Sequence, residues 1–444
     1  DMSKATVHRA LRYVALAVAL ALQAAVPTAA GQTGEWRAYA ADKASTKYTP
    51  LDQINADTVQ DLRVVWRQST IPDDTRQGNT MRAPGGSQNT PLMADGLIYI
   101  STALGMVAAL DAATGQVVWF DAPPAREGQG TARGFATRGV AYWTDGSDAR
   151  VLAVIGSRLV SLNAKTGARD PDFGDGGEVD LVQGYDDRTV NSFRWRSAPL
   201  VVNDVVVIGS AIGDIISATM PALKEMPPGD VRGFDVRTGE QLWIFHTVPQ
   251  EGEAGNETWL TSPDEDRASW EYTGNTNMWA WPSADEELGY VYLPLSTPTN
   301  DYYGGHRPGD NLFAESLVCL DARTGERIWH FQAVHHGVWD YDFPAAPNLI
   351  DITVDGRDIK AIAQVSKQGF TYVLDRVTGD PVWPIEERQV DTDAGLDGEV
   401  LSRTQPFPTK PPPFEDQGSS IDQLVDFTPE LRALAVEAVK NHRL

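Results

Sequence analysis

The sequence predicts an all-β protein, specifically a β-propeller built from repeated four-stranded sheets. A motif of the form Asp-x-x-Thr-Gly-x-x-x-Trp occurs in four intact copies, and apolar strand-like segments flank each copy. The 444 residues include 39 glycines and 28 prolines, which is typical of a turn-rich β protein. A hydrophobic fraction of 42% is sufficient for a large core.

The repeated motif describes a turn between two strands, followed by a large docking side chain. In each copy the Asp can accept backbone N–H bonds, the Gly allows a positive φ, and the Trp offers a flat surface to a neighbouring unit. A parallel solenoid would need shorter, more even repeats, and a sandwich would not repeat a sequence motif. The intact copies are DAATGQVVW (111–119), DVRTGEQLW (235–243), DARTGERIW (321–329) and DRVTGDPVW (375–383), and NAKTGARDP (163–171) keeps only the turn.

Residues 1–30 read as a secretory signal peptide. Basic residues precede the apolar run 13–26, and small residues suited to cleavage follow near Ala30. The alternative is a membrane anchor, for which the run is short. We therefore expect an exported or periplasmic protein. Association with the inner membrane is left open.

Net charge and cysteine content limit the classes of binding partner and the disulfide and haem chemistry that we expect. A formal net charge of −24 argues against nucleic acid and anionic membrane surfaces. The only cysteine, Cys319, leaves no internal disulfide and no CxxCH site for an attached c-type haem.

The two ends of the chain do not follow the repeat. The strand-like segment 36–67 has no repeat unit of its own, and the proline-rich run 410–414 precedes a predicted helix with Thr428 as N-cap and Pro429 at its first position. We expect residues 31–444 to form a partial propeller whose last blades are missing.

One short stretch concentrates chemistry. Residues 334–349, VHHGVWDYDFPAAPNL, contain two histidines and two aspartates, which are costly to bury, with aromatic residues interleaved among them. Together with WAWPSADEELGYVYLP (279–294), the strand that ends at Lys367 and the Trp motifs, it resembles the pyrroloquinoline quinone (PQQ) dependent dehydrogenases, most of all their glucose/quinate branch. The resemblance covers residues 34–444.

This resemblance implies a fold and an activity. Family members are eight-bladed propellers, of which about five to six blades would be present here. The activity implied is oxidation of a sugar, polyol or other alcohol by hydride transfer to a metal-bound quinone. Electrons would pass on to ubiquinone or a cytochrome.

The resemblance also implies metal ligands and a base. Asp340 matches the general base, which can also ligate the metal, and Asp214 matches an acidic metal ligand. Asp342 is a further candidate ligand, although a plain solvated carboxylate fits its position equally well. The third ligand stays open, because the aligned position holds Thr297. Ca²⁺ is the expected ion, with Mg²⁺ or a lanthanide as alternatives.

Cofactor contacts follow in the same way. Trp279 matches the stacking surface under the quinone, Arg138 an arginine that pairs with a PQQ carboxylate, and Lys367 the lysine that bonds the quinone oxygens and stabilises negative charge. Gly134 departs from the histidine of glucose-type enzymes, which puts one cofactor contact and glucose itself in doubt.

Two further features bear on the branch and on the loop. The lone Cys319 departs from the adjacent cysteines of the alcohol dehydrogenases and favours the glucose/quinate branch. His335 and His336 are adjacent and point in opposite directions on an extended chain, so we expect them to support the Asp340 loop rather than share an ion, with contact of either one with substrate left open.

A non-catalytic propeller of the same repeat family, acting as a scaffold in outer-membrane protein assembly, is the alternative. Such a scaffold has no reason to retain a full set of cofactor and metal residues. The joint presence of that set favours the enzyme; it consists of Arg138, Asp214, Trp279, Asp340 and Lys367.

Overall fold

The computed structural model describes residues 34–70, 88–102, 105–121, 138–184, 193–195, 197–212 and 224–442. The predicted signal peptide, Gly134 and Asp214 lie outside these residues. Within the described part of the chain, no helix is long and apolar enough to cross a membrane. The chain divides into two compact units. In the smaller, residues 1–35 with 49–62, a 3₁₀ turn spans Val59–Asp61.

The larger unit, residues 36–48 with 63–444, holds the strands and is mostly antiparallel sheet. The first sheet consists of β1 (Leu92–Ala94), β2 (Leu97–Ser101), β3 (Val107–Asp111) and β4 (Val117–Asp121). The second consists of β5 (Ala141–Thr144), β6 (Ala149–Ile155), β7 (Arg158–Asn163) and β8 (Glu178–Asp180). A short pair joins β9 (Phe193–Arg194) to β12 (Ala211–Ile212), and the third sheet consists of β10 (Leu200–Val202), β11 (Val205–Ile208), β13 (Val231–Asp235) and β14 (Gln241–Phe245).

The second half of the unit continues the pattern. The fourth sheet consists of β15 (Ser283–Asp285), β16 (Tyr290–Pro294), β17 (Ser316–Asp321) and β18 (Arg327–Gln332). The fifth consists of β19 (Asn348–Val354), β20 (Arg357–Val365) and β21 (Thr371–Asp375), followed by the pair β22 (Ile385–Gln389) and β23 (Thr404–Pro408). Helix α1 spans Pro429–Val439 and is capped by Thr428, as predicted.

Each four-stranded sheet pairs its strands antiparallel in chain order or nearly so, which confirms the predicted repeat. The motif forms the turn between the last two strands of a sheet. In the first copy Asp111 Oδ1 accepts from Thr114 N at 2.8 Å, and Gly115 has φ of +72°. Buried apolar clusters are shared by consecutive sheets, for example Leu152 of the second with Val206 of the third. The core therefore lies between blades, as in a propeller.

The motif tryptophans dock onto the next turn. Trp119 Nε1 donates to the Ala164 carbonyl at 2.8 Å, and its ring would lie 2.6 Å from a Cβ added to Gly167. Only glycine fits under the ring at that turn. The same arrangement joins Trp243 to Ala322 and Gly325, and Trp329 to Arg376 and Gly379.

The second repeat lacks the Trp. Other residues supply the hydrogen bond and the packing against the turn glycine that the Trp makes in other repeats. Arg150 Nη1 donates to the carbonyls of Val236 at 3.1 Å and Arg237 at 2.8 Å, where a Trp would supply its N–H. Phe173 and Val179 pack against the turn glycine Gly239 in place of the indole ring. The junction between the second and third sheets therefore survives the altered motif.

Within the segment 36–67, for which the sequence indicated no repeat unit, residues 36–48 and 63–67 belong to the larger unit and contact several of its sheets. Trp36 pairs with Met93 at the edge of β1, and Ala44 O accepts from Leu349 N of the fifth sheet. Trp66 Nε1 donates to the Ala112 carbonyl at 3.2 Å, and its ring covers the turn of the first repeat. Trp66 is therefore a docking tryptophan that the motif search missed.

The fifth repeat does not complete its sheet. Its sequence predicts a fourth strand, but the structure has a single bridge between Leu374 and Pro381 and then an irregular segment. Pro381 and Pro384 flank Trp383, and proline cannot donate to a β ladder. The prolines account for the lost strand.

Candidate functional site

Four of the predicted site residues lie next to strands of the fourth and fifth sheets. Trp279 precedes β15, Asp340 and Asp342 lie in the loop from β18 to β19, and Lys367 follows β20. Loops at strand ends are free to carry polar groups because their backbone is not committed to the sheet.

Lys367 joins the two aspartates of the loop. Its Nζ lies 2.7 Å from Asp340 Oδ1 and 3.0 Å from Asp342 Oδ2. The same atom lies 5.6 Å from the centre of the Trp279 ring, and Trp279 Nε1 donates to Asp342 Oδ2 at 2.8 Å. The structure therefore brings four of the predicted site residues together.

Asp342 is fully occupied by hydrogen bonds. Its Oδ1 accepts from Thr297 N at 2.7 Å and faces Thr297 Oγ1 at 3.0 Å, while Oδ2 accepts from Trp279 and Lys367. Three nitrogen donors bind this carboxylate, and the single Thr297 hydroxyl proton lies between Asp342 Oδ1 and Glu315 Oε1, so little of its acceptor capacity remains. The arrangement supports a role in positioning Trp279 and Lys367. Metal ligation by Asp342 stays a prediction that would require one of these bonds to be exchanged.

Arg138 lies against Trp279 from a different sheet. It is buried, donates from Nε to Gln88 Oε1 at 3.0 Å and from Nη1 to the Trp279 carbonyl. Its guanidinium carbon lies 4.9 Å from the Trp279 ring and 5.1 Å from that of Trp281, on which Tyr39 stacks at 4.0 Å. Two cations, Arg138 and Lys367, thus contact the Trp279 ring.

The electrostatics prepare Asp340 to exchange a proton near neutral pH. Burial and the neighbouring Asp342 charge raise the pKa of Asp340 to about 6, in spite of the Lys367 bond, which lowers it. Burial lowers the pKa of Lys367, but the two carboxylates outweigh this and raise it overall. Asp340 adopts φ of +53°, a conformation that non-glycine residues rarely take. A carboxylate with this pKa suits a general base.

Glu315 is a site residue that the sequence analysis missed. It is 1% exposed, and its Oε1 lies 3.0 Å from Thr297 Oγ1 and accepts from Tyr341 N at 3.1 Å. Among the described residues, Oε2 has no hydrogen-bond partner. Burial, followed by the charge of Asp342, raises the pKa of Glu315 to about 8. The sequence signal was a Glu directly before the apolar strand β17.

The two histidines of the loop have different partners. His335 Nε2 lies 3.1 Å from Glu387 Oε1, and His336 Nε2 lies 2.6 Å from Glu399 Oε1. Each imidazole is therefore held by a different carboxylate.

The structure describes two of the three predicted metal ligands. Among the described residues, no group of three or more His, Cys, Asp and Glu side chains could hold an ion. Asp214 lies outside those residues, so its predicted role as a ligand stays a prediction. Asn300 and Asp301 are buried near Thr297.

Comparison with known proteins decides the family. Residues 36–444 match the family model described as "PQQ: Glucose/ethanol/alcohol dehydrogenase, beta-propeller domain". The chain belongs to the PQQ-dependent dehydrogenase family. This membership confirms the resemblance inferred from the motifs and the predicted propeller class.

Individual relatives agree with this PQQ-dependent family. The chain is 32% identical to the quinoprotein glucose dehydrogenase of Escherichia coli (strain K12), over 84% of this chain and 46% of that protein. It is 32% identical to the quinate/shikimate dehydrogenase (quinone) of Acinetobacter baylyi, over 86% of this chain and 48% of that protein. The chain therefore spans about half the length of the curated relatives it matches.

Solved structures of the family share the fold. The quinohemoprotein alcohol dehydrogenase from Comamonas testosteroni matches with a TM-score of 0.64 and 26% identity, over 86% of this chain and 52% of that one. These relatives are named as dehydrogenases, which are oxidoreductases.

Proposed function

We propose that this PQQ-family chain carries the cofactor site of an exported dehydrogenase that oxidises a sugar, polyol or other alcohol. The observation that carries the proposal is the Lys367 ammonium bound to both Asp340 and Asp342 beside the Trp279 ring. A base, a cation and an aromatic face within contact distance are what quinone-dependent alcohol oxidation requires.

The residues fit PQQ, which is planar and carries three carboxylates. The Trp279 ring offers a face for stacking, and Arg138 and Lys367 offer positive charge on contact with that ring. Arginine suits a carboxylate because its planar fork can bond both oxygens. When bound, PQQ supplies an electrophilic carbonyl that takes up two electrons from the alcohol carbon.

The chain's own residues supply the acid–base chemistry. Asp340 would take the proton of the substrate hydroxyl, for which its raised pKa suits it. Lys367 holds the Asp340 carboxylate through Oδ1 and keeps a positive charge in the site. Asp342 orients both Lys367 and Trp279, since its Oδ2 accepts from each.

A metal ion belongs to the proposal as well. We assign Asp340 and Asp214 as its ligands, with Ca²⁺ as the expected ion and Mg²⁺ or a lanthanide as alternatives, because carboxylate oxygens suit hard cations. Export to the periplasm through residues 1–30 and electron transfer to ubiquinone or a cytochrome complete the proposal. The relative named quinate/shikimate dehydrogenase (quinone) supports a quinone acceptor.

Binding of PQQ in the presence of Ca²⁺, followed by quenching of tryptophan fluorescence, tests the proposal. Lys367→Ala and Asp214→Ala should each weaken binding at least about tenfold, since a charge-assisted bond contributes about 1.5–3 kcal/mol. Lys360→Ala is the matched control, because Lys360 lies on β20 in an exposed pair with Glu287.

Two results would count against the proposal. If Lys367→Ala and Asp214→Ala bind like the wild type, the site is wrongly assigned. If the wild-type chain itself does not bind PQQ, the non-catalytic propeller scaffold becomes the better account.

A further inference from the structure

A buried His–Glu contact connects an exposed loop to the loop that carries Asp340. His336 Nε2 lies 2.6 Å from Glu399 Oε1, and their side chains are only 2% and 1% exposed. Glu399 belongs to the segment between β22 and β23, where its neighbours Leu396 and Val400 are 55% and 69% exposed. One carboxylate therefore reaches from a solvated loop into the interior.

Hydrogen bonds on both sides fix the geometry of the pair. His336 Nδ1 lies 2.8 Å from the Gly309 carbonyl, which can only accept, so Nδ1 carries a proton. Nε2 faces Glu399 Oε1, and Glu399 Oε2 accepts from Gly304 N at 2.6 Å. Burial raises the pKa of Glu399, but the bonds from His336 and Gly304 outweigh it and lower the pKa overall. Both ring nitrogens of His336 and both carboxylate oxygens of Glu399 therefore have a partner inside the protein.

This pair holds the start of the Asp340 loop in a confined space. His336 adopts φ of +50°, four residues before Asp340 at +53°. A Cβ added to Gly304 would lie 2.7 Å from His336 Nε2, so the ring has little room to move. On the other side, the buried Arg307 donates to the Gly337 carbonyl at 2.7 Å.

We propose that Glu399 is a positioning residue for Asp340. By holding His336, it fixes the backbone of 336–340 and so keeps the Asp340 carboxylate on Lys367. The part that concerns catalysis rests on the proposed function. The part that concerns the position of the loop does not.

The chain contains a matched control one residue away. His335 Nε2 lies 3.1 Å from Glu387 Oε1, and the Glu387 side chain is 52% exposed. The two pairs have the same chemistry and differ in burial. Solvent can replace the exposed partner, so loss of Glu387 leaves no buried charge behind.

Hydrogen–deuterium exchange of the full 444-residue protein, read by mass spectrometry, tests the position of the loop. In Glu399→Ala, peptides covering 336–343 should exchange at least about tenfold faster, because the loop opens more easily when the contact between His336 and Glu399 is lost. Glu399→Gln should give a smaller rise in the same peptides, since an amide keeps a hydrogen bond but not the counter-charge. Glu387→Gln and peptides covering 107–121 should not change.

Glu399→Gln alone decides the outcome if the alanine variant does not fold. Unchanged exchange at 336–343 in every folded Glu399 variant would overturn the proposal. A uniform rise across all peptides would also overturn it, because the pair would then serve only general stability.

Kinetics test the catalytic part. Glu399→Gln should lower kcat by a larger factor than it weakens PQQ affinity, since Trp279 and Arg138 do not contact this pair and the group displaced is the base. A loss of PQQ affinity as large as the loss of kcat would contradict a role that acts through the base Asp340. If the wild type is inactive, the proposed function is refuted. The hydrogen–deuterium exchange experiment still tests whether Glu399 fixes the position of the loop.

Discussion

Replacement of Gly337 by alanine should destabilise the protein through one identifiable collision. A Cβ on Gly337 would overlap Oε2 and Cδ of Glu315 and lie 2.5 Å from Oε1. Restoring ordinary contact requires a displacement on the order of 1–2 Å. Glu315 cannot swing aside freely, because it is buried and its Oε1 is held by Thr297 and Tyr341.

The size of the effect follows from overpacking of a dense interior. Overpacking costs about 1–3 kcal/mol, and we expect Gly337→Ala to lie near about 3 kcal/mol because backbone and carboxylate are both held. In a Glu315→Ala background the colliding atoms are absent, so the same change should cost less than about 1 kcal/mol. The coupling between the two positions is therefore expected to be about 2 kcal/mol.

Urea unfolding at pH 7, followed by tryptophan fluorescence, measures all four variants of this cycle. The Glu315→Ala single variant measures the cost of the cavity that this substitution leaves, and this cost is subtracted from that of the double variant. Equal costs of Gly337→Ala in both backgrounds would refute the collision, as would a cost below about 0.5 kcal/mol in the wild-type background.

Three other predictions concern pH, docking and the cofactor site. The pKa of Glu315 is raised in the folded protein to about 8 from an ordinary 4.5, so the native state binds this proton more tightly than the unfolded state and stability falls as pH rises from about 4.5 through about 8. Glu315→Gln should flatten Tm against pH between about 6.5 and 8, above the range in which Asp340, His306 and His330 titrate; an unchanged profile would disprove the assignment. Trp329→Ala should cost about 3–5 kcal/mol in urea unfolding, and the partly exposed Trp383 no more than about half of that; equal losses would contradict docking as the cause. Asp342→Asn should weaken PQQ binding at least about tenfold in the fluorescence titration, because an amide nitrogen then faces a donor. Unchanged affinity would show that the hydrogen bonds to Asp342 are dispensable.

The motif search recovered most of the fold because its features are local. A turn Asp, a turn Gly and a Trp at fixed offsets identify strand pairs and the docking side chain within one stretch of nine residues. The search failed at Trp66, which lacks the rest of the motif, and at the fifth repeat, where Pro381 and Pro384 prevent the fourth strand.

The candidate site divides in the same way. Resemblance in short runs identified Trp279, Asp340, Asp342 and Lys367, and the structure brings these together. It did not identify Glu315, whose burial depends on the packing of β17 under the loop.

Sequence alone determined the all-β repeat, the docking tryptophans and the identity of the loop that carries Asp340. Only the tertiary structure decided which groups hold that loop in place. Glu399 meets His336 across 63 residues of chain, and Thr297 meets Asp342 across 45. Such contacts have no local pattern, because their partners are selected by how the sheets stack and by the charges that burial forces to pair.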